Sequence, residues 1–547
     1  MSSRLARSAG LIGIATMASR ILGVAREIVL ARLFGASATP AMDAFNVAFR
    51  VPNLVRDLFA EGAMTAAFVP TFTRTLNSRG REAAWRLGNL VINALLVVTG
   101  VIVVLAIIFA APITRAIAST DLVGDALRTL GIAVRAAAPG FGSVEGKLEL
   151  TTQLTRIMMP FLTTVAVAAA VMGMLNALHR FFLPALSPAM FNVATILCAI
   201  VLVPLMPALG LPPIAAIALA AVIGGVGQIA IMWPSLRKEG FRYQPILTFR
   251  DPDVREILRL MGPGTLGLAA VQINVLVNTS LATSEPQGAV SWLQYAFRLM
   301  YLPIGIFGVS IATAALPDLS RHAAEADRAP MRNTISTGLR LMLMLNVPAT
   351  IGLIVLARPI VELLLEYGRF GSHDTAATAA ALMFYAPGLV GYSAVKIASP
   401  SFYSLGDSRT PAAISICSIV LNLLLNIMLV RVMGYRGLAL GTSIAALFNA
   451  SALLFLLQRR LDGLDGPRIA VAFAKILLAS IVMGAVAYFF SGWMSNAMPG
   501  SHWYWRAVRV SGAIAAGVLA LMVSARLLSI DEFNDAMARV TRRFVRR

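Results

Sequence analysis

One apolar stretch after another, each long enough to cross a lipid bilayer, runs along almost the whole of this 547-residue chain. A bilayer-spanning helix needs about 20 largely apolar residues. Fourteen segments meet that length: 9–33, 42–72, 88–111, 153–178, 185–206, 213–235, 256–282, 288–316, 335–357, 376–404, 411–432, 437–458, 469–491 and 507–528. The pattern predicts an all-α polytopic membrane protein with fourteen transmembrane helices. Composition points the same way. Hydrophobic residues make up 58% of the chain and charged residues 13%, against about half and a quarter in soluble domains.

The net charge is +20, and its distribution reads as topology, not nucleic-acid binding. Basic residues gather in alternate short loops: Arg74, Arg79, Arg81 and Arg86; Arg180; Arg237, Lys238, Arg242 and Arg250; Arg321, Arg328 and Arg332; Arg409; Arg459, Arg460 and Arg468. Both termini carry arginines as well, and the loops at 36–40 and 205–212 carry none. The positive-inside rule therefore predicts cytoplasmic termini. Arg20 and Arg26 interrupt the first apolar stretch and no cleavage site follows it, so a removed signal peptide is not expected.

The chain repeats itself. Ala48-Phe49-Arg50 leads to Pro70 after 20 residues, and Ala296-Phe297-Arg298 leads to Pro317 after 19. Pro160 and Pro184 are 24 residues apart, as are Pro387 and Pro411. The first six segments thus match the next six, in parallel orientation, giving lobes at 1–240 and 250–460 and a C-terminal addition at 465–547. Transporters with parallel repeats hold substrate between the lobes and rock one against the other.

No Walker, zinc-ligand or nucleophile motif occurs, so an enzyme is not expected. Cys198 and Cys417 read as small core residues, and the four histidines form no cluster. The chemistry lies in intramembrane charge. Segment 9–33 carries Arg20, Arg26 and Glu27; segment 42–72 carries Arg50, Arg56, Asp57 and Glu61. Charges at that depth face a protein interior or a wet cavity. Residues seven apart return to one helix face, which would pair Arg20 with Glu27 and Arg50 with Asp57. Arg26 and Arg56 lie off those stripes, and the segment of Arg298 contains no acid. Internal salt bridges and an anion site both account for these residues; for the second, the guanidinium fork suits phosphate.

Asn274 and Asn278, with Asn422 and Asn426, form two i,i+4 pairs, and Thr442 could join them. Interhelical hydrogen bonding and a cation site of neutral oxygens both fit. Segments 176–184 and 402–411 read as helix–helix turns, and 359–370 as an interfacial amphipathic stretch.

Three runs carry a resemblance: Ser19-Arg20-Ile-Leu-Gly23-Val-Ala-Arg26, Asp43-Ala-Phe-Asn-Val-Ala-Phe-Arg50 and Pro52-Asn53-Leu-Val-Arg56-Asp-Leu-Phe59-Ala60-Glu61-Gly62-Ala63. They resemble the MurJ (MviN) family of lipid II flippases, in the multidrug/oligosaccharidyl-lipid/polysaccharide exporter superfamily. The resemblance spans essentially the whole chain. It implies substrate-contacting roles for Arg20, Arg26, Asp43, Arg50, Arg56, Glu61 and Arg298. It implies a tail groove formed by the last two helices, lipid II and membrane lipids as partners, and a monomer in the bacterial inner membrane. No cofactor is expected, and sodium or the membrane potential is left as energy source. Phe297 and Tyr301 flank Arg298 where some relatives have acids, and the Asn/Thr set lacks the carboxylates of relatives with a sodium site. Rival readings are a flippase for another polyprenyl-linked oligosaccharide, a drug/cation antiporter of the same superfamily, which would want intramembrane acids, and a non-transporting scaffold.

Overall fold

The computed structural model describes residues 2–57, 64–118, 146–248, 250–305, 317–322, 328–500 and 502–534. Among the described residues every regular element is helical. Eight helices among the described residues are long and apolar enough to cross a membrane, or nine if one bent pair counts as a single span. The chain divides into two compact units. One comprises Met1–Ser291 with Tyr367–Phe370; the other comprises Trp292–Glu366 and Gly371–Arg547. This division follows packing, not the repeat. The Pro252–Thr283 helix packs along Met64–Ile108, and so counts with the first unit, while Gly466–Ala497 packs on Arg328–Val355 in the second.

In the first unit, Phe68, Phe72, Val171, Met174 and Phe241 are buried in one cluster. Small residues let backbones approach there, as is usual between membrane helices. A Cβ on Gly225 would stand 2.0 Å from Thr164 Oγ1. In the second unit, Leu339, Ile397, Leu453 and Ile476 form a comparable core. A Cβ on Gly391 there would stand 2.6 Å from the Ala446 carbonyl oxygen.

Proline sets the breaks. Pro160 occupies the N-cap of Phe161–Ala177, directly after Lys147–Met158, and Pro387 occupies the N-cap of Gly388–Ser404, after Ser372–Tyr385. The second pair is bent by 42°. A proline lacks the N–H that an uninterrupted helix would use, so carbonyls ahead of it need other donors. Ser443 Oγ supplies one, donating to Phe384 O at 2.7 Å and Tyr385 O at 3.0 Å; Thr350 Oγ1 donates to Ala386 O at 3.3 Å. Both hydroxyls come from other helices, Tyr435–Arg460 and Arg328–Val355.

Two expected segments run into residues outside the described set. Within 42–72, the helix Ala41–Arg56 and the helix from Met64 are described, and residues 58–63 between them lie outside the described set. Gly80 kinks that long helix, with φ 84° and ψ 179°, a conformation open to glycine at little cost. The 288–316 segment is described as the helix Ala289–Pro303, and residues 306–316 lie outside the described set. The turns expected near 178–181 and 405–408 are present.

Within 359–370, the helix Ala357–Leu365 presents Glu362, which with Glu366 receives Arg506 at 3.2 Å each. Residues 367–370 join the first unit through Arg369 N–H to Arg32 O at 3.1 Å.

Candidate functional site

The first unit carries most of the predicted charges. Arg20, on Ser2–Phe34, is half-buried and forms no ion pair among the described residues. Arg26 Nε donates to Glu27 Oε1 at 3.0 Å, and its guanidinium lies 5.1 Å from the Phe191 ring centroid. On Ala41–Arg56, Arg50 is half-buried. Arg56 donates through Nε at 3.1 Å and through a terminal nitrogen at 2.8 Å to Asp57 Oδ1. Asp57 also accepts from Asn53 at 3.3 Å and from Gln272 at 3.0 Å. Glu61 lies outside the described residues.

These pairings correct the stripe argument. Glu27 pairs with Arg26 and Asp57 with Arg56, each an adjacent residue. Positions seven apart are separated by about 10 Å along a helix axis, whereas two long flexible side chains on neighbouring residues meet by local bends alone. A carboxylate beside each arginine lowers its net charge.

Asp43 is only 1% exposed. Its carboxylate accepts from Gly288 N–H at 2.7 Å, Ser291 N–H at 3.0 Å and Ser291 Oγ–H at 2.6 Å, and Lys147 Nζ approaches to 3.4 Å. Asn46 Nδ2 donates to Ser291 Oγ at 3.1 Å. The carboxylate therefore caps the first turn of Ala289–Pro303, whose free N–H groups favour an anion. Lys147, Ser291 and Gln272 were not expected at the site. Lys147 stands just ahead of an apolar segment, and a lone cation at that place was the signal for it.

In the second unit, Arg298 on Ala289–Pro303 is half-buried and engaged by a neighbouring group. Next to it, Phe297 stacks on Tyr301 at 5.9 Å and meets Tyr385 and Tyr392 edge-on at 5.5 and 6.2 Å. The same unit brings together three of the five proposed cation-site residues. Asn426 Nδ2 donates to Asn422 Oδ1 at 3.2 Å, and Asn422 Nδ2 donates to Thr442 Oγ1 at 3.4 Å. A Cβ on Gly441 would fall 2.1 Å from Asn426 Oδ1, so glycine there makes room for the amide. Asn274 and Asn278 lie on Pro252–Thr283 in the first unit, and Asn274 Oδ1 is buried without a hydrogen bond among the described residues. Among the described residues no cluster of three His, Cys, Asp or Glu could hold a metal ion.

This helical arrangement is shared with solved membrane proteins. A solved inward-facing multidrug resistance MATE family transporter of the MOP superfamily superimposes with a TM-score of 0.63, covering 81% of this chain and 94% of that one at 18% identity. The fold is thus shared with that transporter. A solved lipid II flippase MurJ, in an inward closed conformation, superimposes with a TM-score of 0.75 at 27% identity, covering 95% and 99% of the two chains. The family model "Lipid II flippase MurJ" matches residues 30–506. The lipid II flippase MurJ of Burkholderia cenocepacia is 33% identical over 86% of this chain and 87% of its own. The probable lipid II flippase MurJ of Vibrio cholerae is 32% identical over 97% of each. The chain belongs to the MurJ lipid II flippase family.

Proposed function

We infer that this chain flips lipid II, the undecaprenyl-pyrophosphate-linked peptidoglycan precursor, from the inner to the outer leaflet of the bacterial cytoplasmic membrane. The observation that carries the reading is the family match over residues 30–506, joined to intramembrane arginines of the type that grips pyrophosphate. In this reading fourteen helices cross the membrane with both termini inside, and two six-helix lobes alternate access to a central cationic cavity. Arg20, Arg26, Arg50, Arg56 and Arg298 meet the pyrophosphate and headgroup. Asp43 acts on substrate indirectly, by fixing the turn it caps. The last two helices receive the polyprenyl tail, and the protein works as a monomer.

The energetics suit an anionic cargo. An inside-negative potential favours outward movement of negative charge by about 2.3 kcal/mol per charge per 100 mV, and it favours return of an empty cationic cavity. Sodium at Asn274, Asn278, Asn422, Asn426 and Thr442 is the alternative energy source. Sodium binding would raise the melting temperature above that in potassium by mass action, and equal melting curves would exclude it.

The deciding experiment is complementation. Expression in a strain depleted of its lipid II flippase should restore growth and lipid II exposure on the outer leaflet. Accumulated, folded protein without rescue would defeat the reading.

A further inference from the structure

A second group of charges lies far along the chain from the arginines above, within the second unit. A cavity of about 300 Å³ is lined by Arg340, Arg468, Lys475, Ser529, Asp531 and Glu532. Arg340 is 8% exposed. One of its terminal nitrogens binds Glu532, and its Nε is buried with no hydrogen-bond partner among the described residues. The Arg340–Glu532 pair thus forms a buried floor beside the cavity. Lys475 Nζ donates to Ser529 O at 3.4 Å, using one of its three hydrogens. Arg468 is exposed and forms no ion pair among the described residues.

Position and charge narrow the occupant. Gly466–Ala497 begins at this cavity and Trp503–Leu527 ends at it; both are apolar enough to span a membrane. The cavity therefore lies where spans meet water, at headgroup level. Val471, another lining residue, is 57% exposed, so an apolar flank adjoins the polar floor. Among the described lining residues, three cations against two carboxylates leave one net positive charge. That matches the single charge of a phosphodiester better than the larger charge of inorganic phosphate or pyrophosphate.

We propose that this cavity binds the phosphodiester of an anionic lipid headgroup. Arg468 and Lys475 donate to the phosphate above the Arg340–Glu532 floor, and the acyl chains run along the Val471 side of the helix. The assignment rests on a membrane-spanning chain and not on lipid II as substrate.

The test uses the purified full-length protein in detergent, titrated separately with phosphatidylglycerol, phosphatidylcholine and sodium phosphate. Thermal melting and native mass spectrometry report binding. Phosphatidylglycerol should stabilise the parent most. Arg468→Ala with Lys475→Ala should weaken that binding about tenfold or more, since each basic group near a membrane surface contributes about 1 kcal/mol. Arg237→Ala, in the other unit, should leave it unchanged. Lys475→Gln alone serves if the double variant does not fold. Equal stabilisation by phosphatidylcholine or by sodium phosphate, or unaltered binding in the variants, would overturn the proposal. No arm contains lipid II, so failure here would leave the flippase reading standing, and failed complementation would leave this one.

Discussion

Individual charges at membrane depth divide into those with a built-in counter-charge and those held by other means. Arg26 and Arg56 each have a carboxylate on the next residue; Arg298 has no acid in its own segment. Arg298→Ala should abolish flipping while the protein still inserts, and should weaken binding of a pyrophosphate-bearing lipid by about 2–5 kcal/mol. Arg298→Lys keeps charge but loses the fork, so it should rescue poorly. Growth supported by Arg298→Ala at normal expression would remove this residue from the substrate site.

Asp43 gives a second residue-scale prediction. It faces three neutral donors and one buried lysine, and breaking a buried pair strands its partner's charge. Asp43→Asn should therefore lower unfolding stability by about 3–5 kcal/mol. Adding Lys147→Met should recover part of that loss, and a double variant worse than the sum of the singles would refute the pairing. The importance of Asp43 was legible only through family resemblance. Its partners at 147, 288 and 291 were not, because no local spacing reports a contact across such distances in sequence.

At the scale of elements, segment positions were legible because a bilayer demands long apolar helices, and each predicted segment contains one or more described helices. Breaks were harder to place. Pro160 and Pro387 stood out in the sequence as marks of a repeat; that each caps the second half of a broken helix follows from the missing N–H. The break at Gly80 within Met64–Ile108 falls in the basic loop expected between 72 and 88, although the residue that carries it was not singled out. The hydroxyls supporting the Pro387 bend were invisible for another reason: Ser443 and Thr350 belong to other helices. Ser443→Ala should cost about 1–2 kcal/mol, measurable as a lower melting temperature in detergent, and an unchanged melting curve would show that the carbonyls find other donors.

For the whole molecule, loop charge predicts orientation. In a variant with Cys198 and Cys417 replaced, Ala38→Cys should react with a membrane-impermeant thiol reagent from outside intact cells. Ser78→Cys should react only after the membrane is opened. Both positions are exposed, so access is decided by side. The reverse pattern would invert the topology. Proline and arginine spacing points to a repeat with its boundary at 240–250, whereas packing divides the compact units after Ser291. A repeat records ancestry of segments, whereas packing records which apolar faces found each other.

The bend at Pro387 has a consequence for inheritance. Its angle is held by hydroxyls encoded 37 residues upstream, at Thr350, and 56 residues downstream, at Ser443. A change at either codon would alter the course of a helix in which it does not lie. Selection for suppressors of Ser443→Ala should then return second-site changes between Ser372 and Ser404, or at Thr350, more often than among the neighbours of Ser443 on its own helix. The bend would behave in a genetic map as a trait of three separate loci.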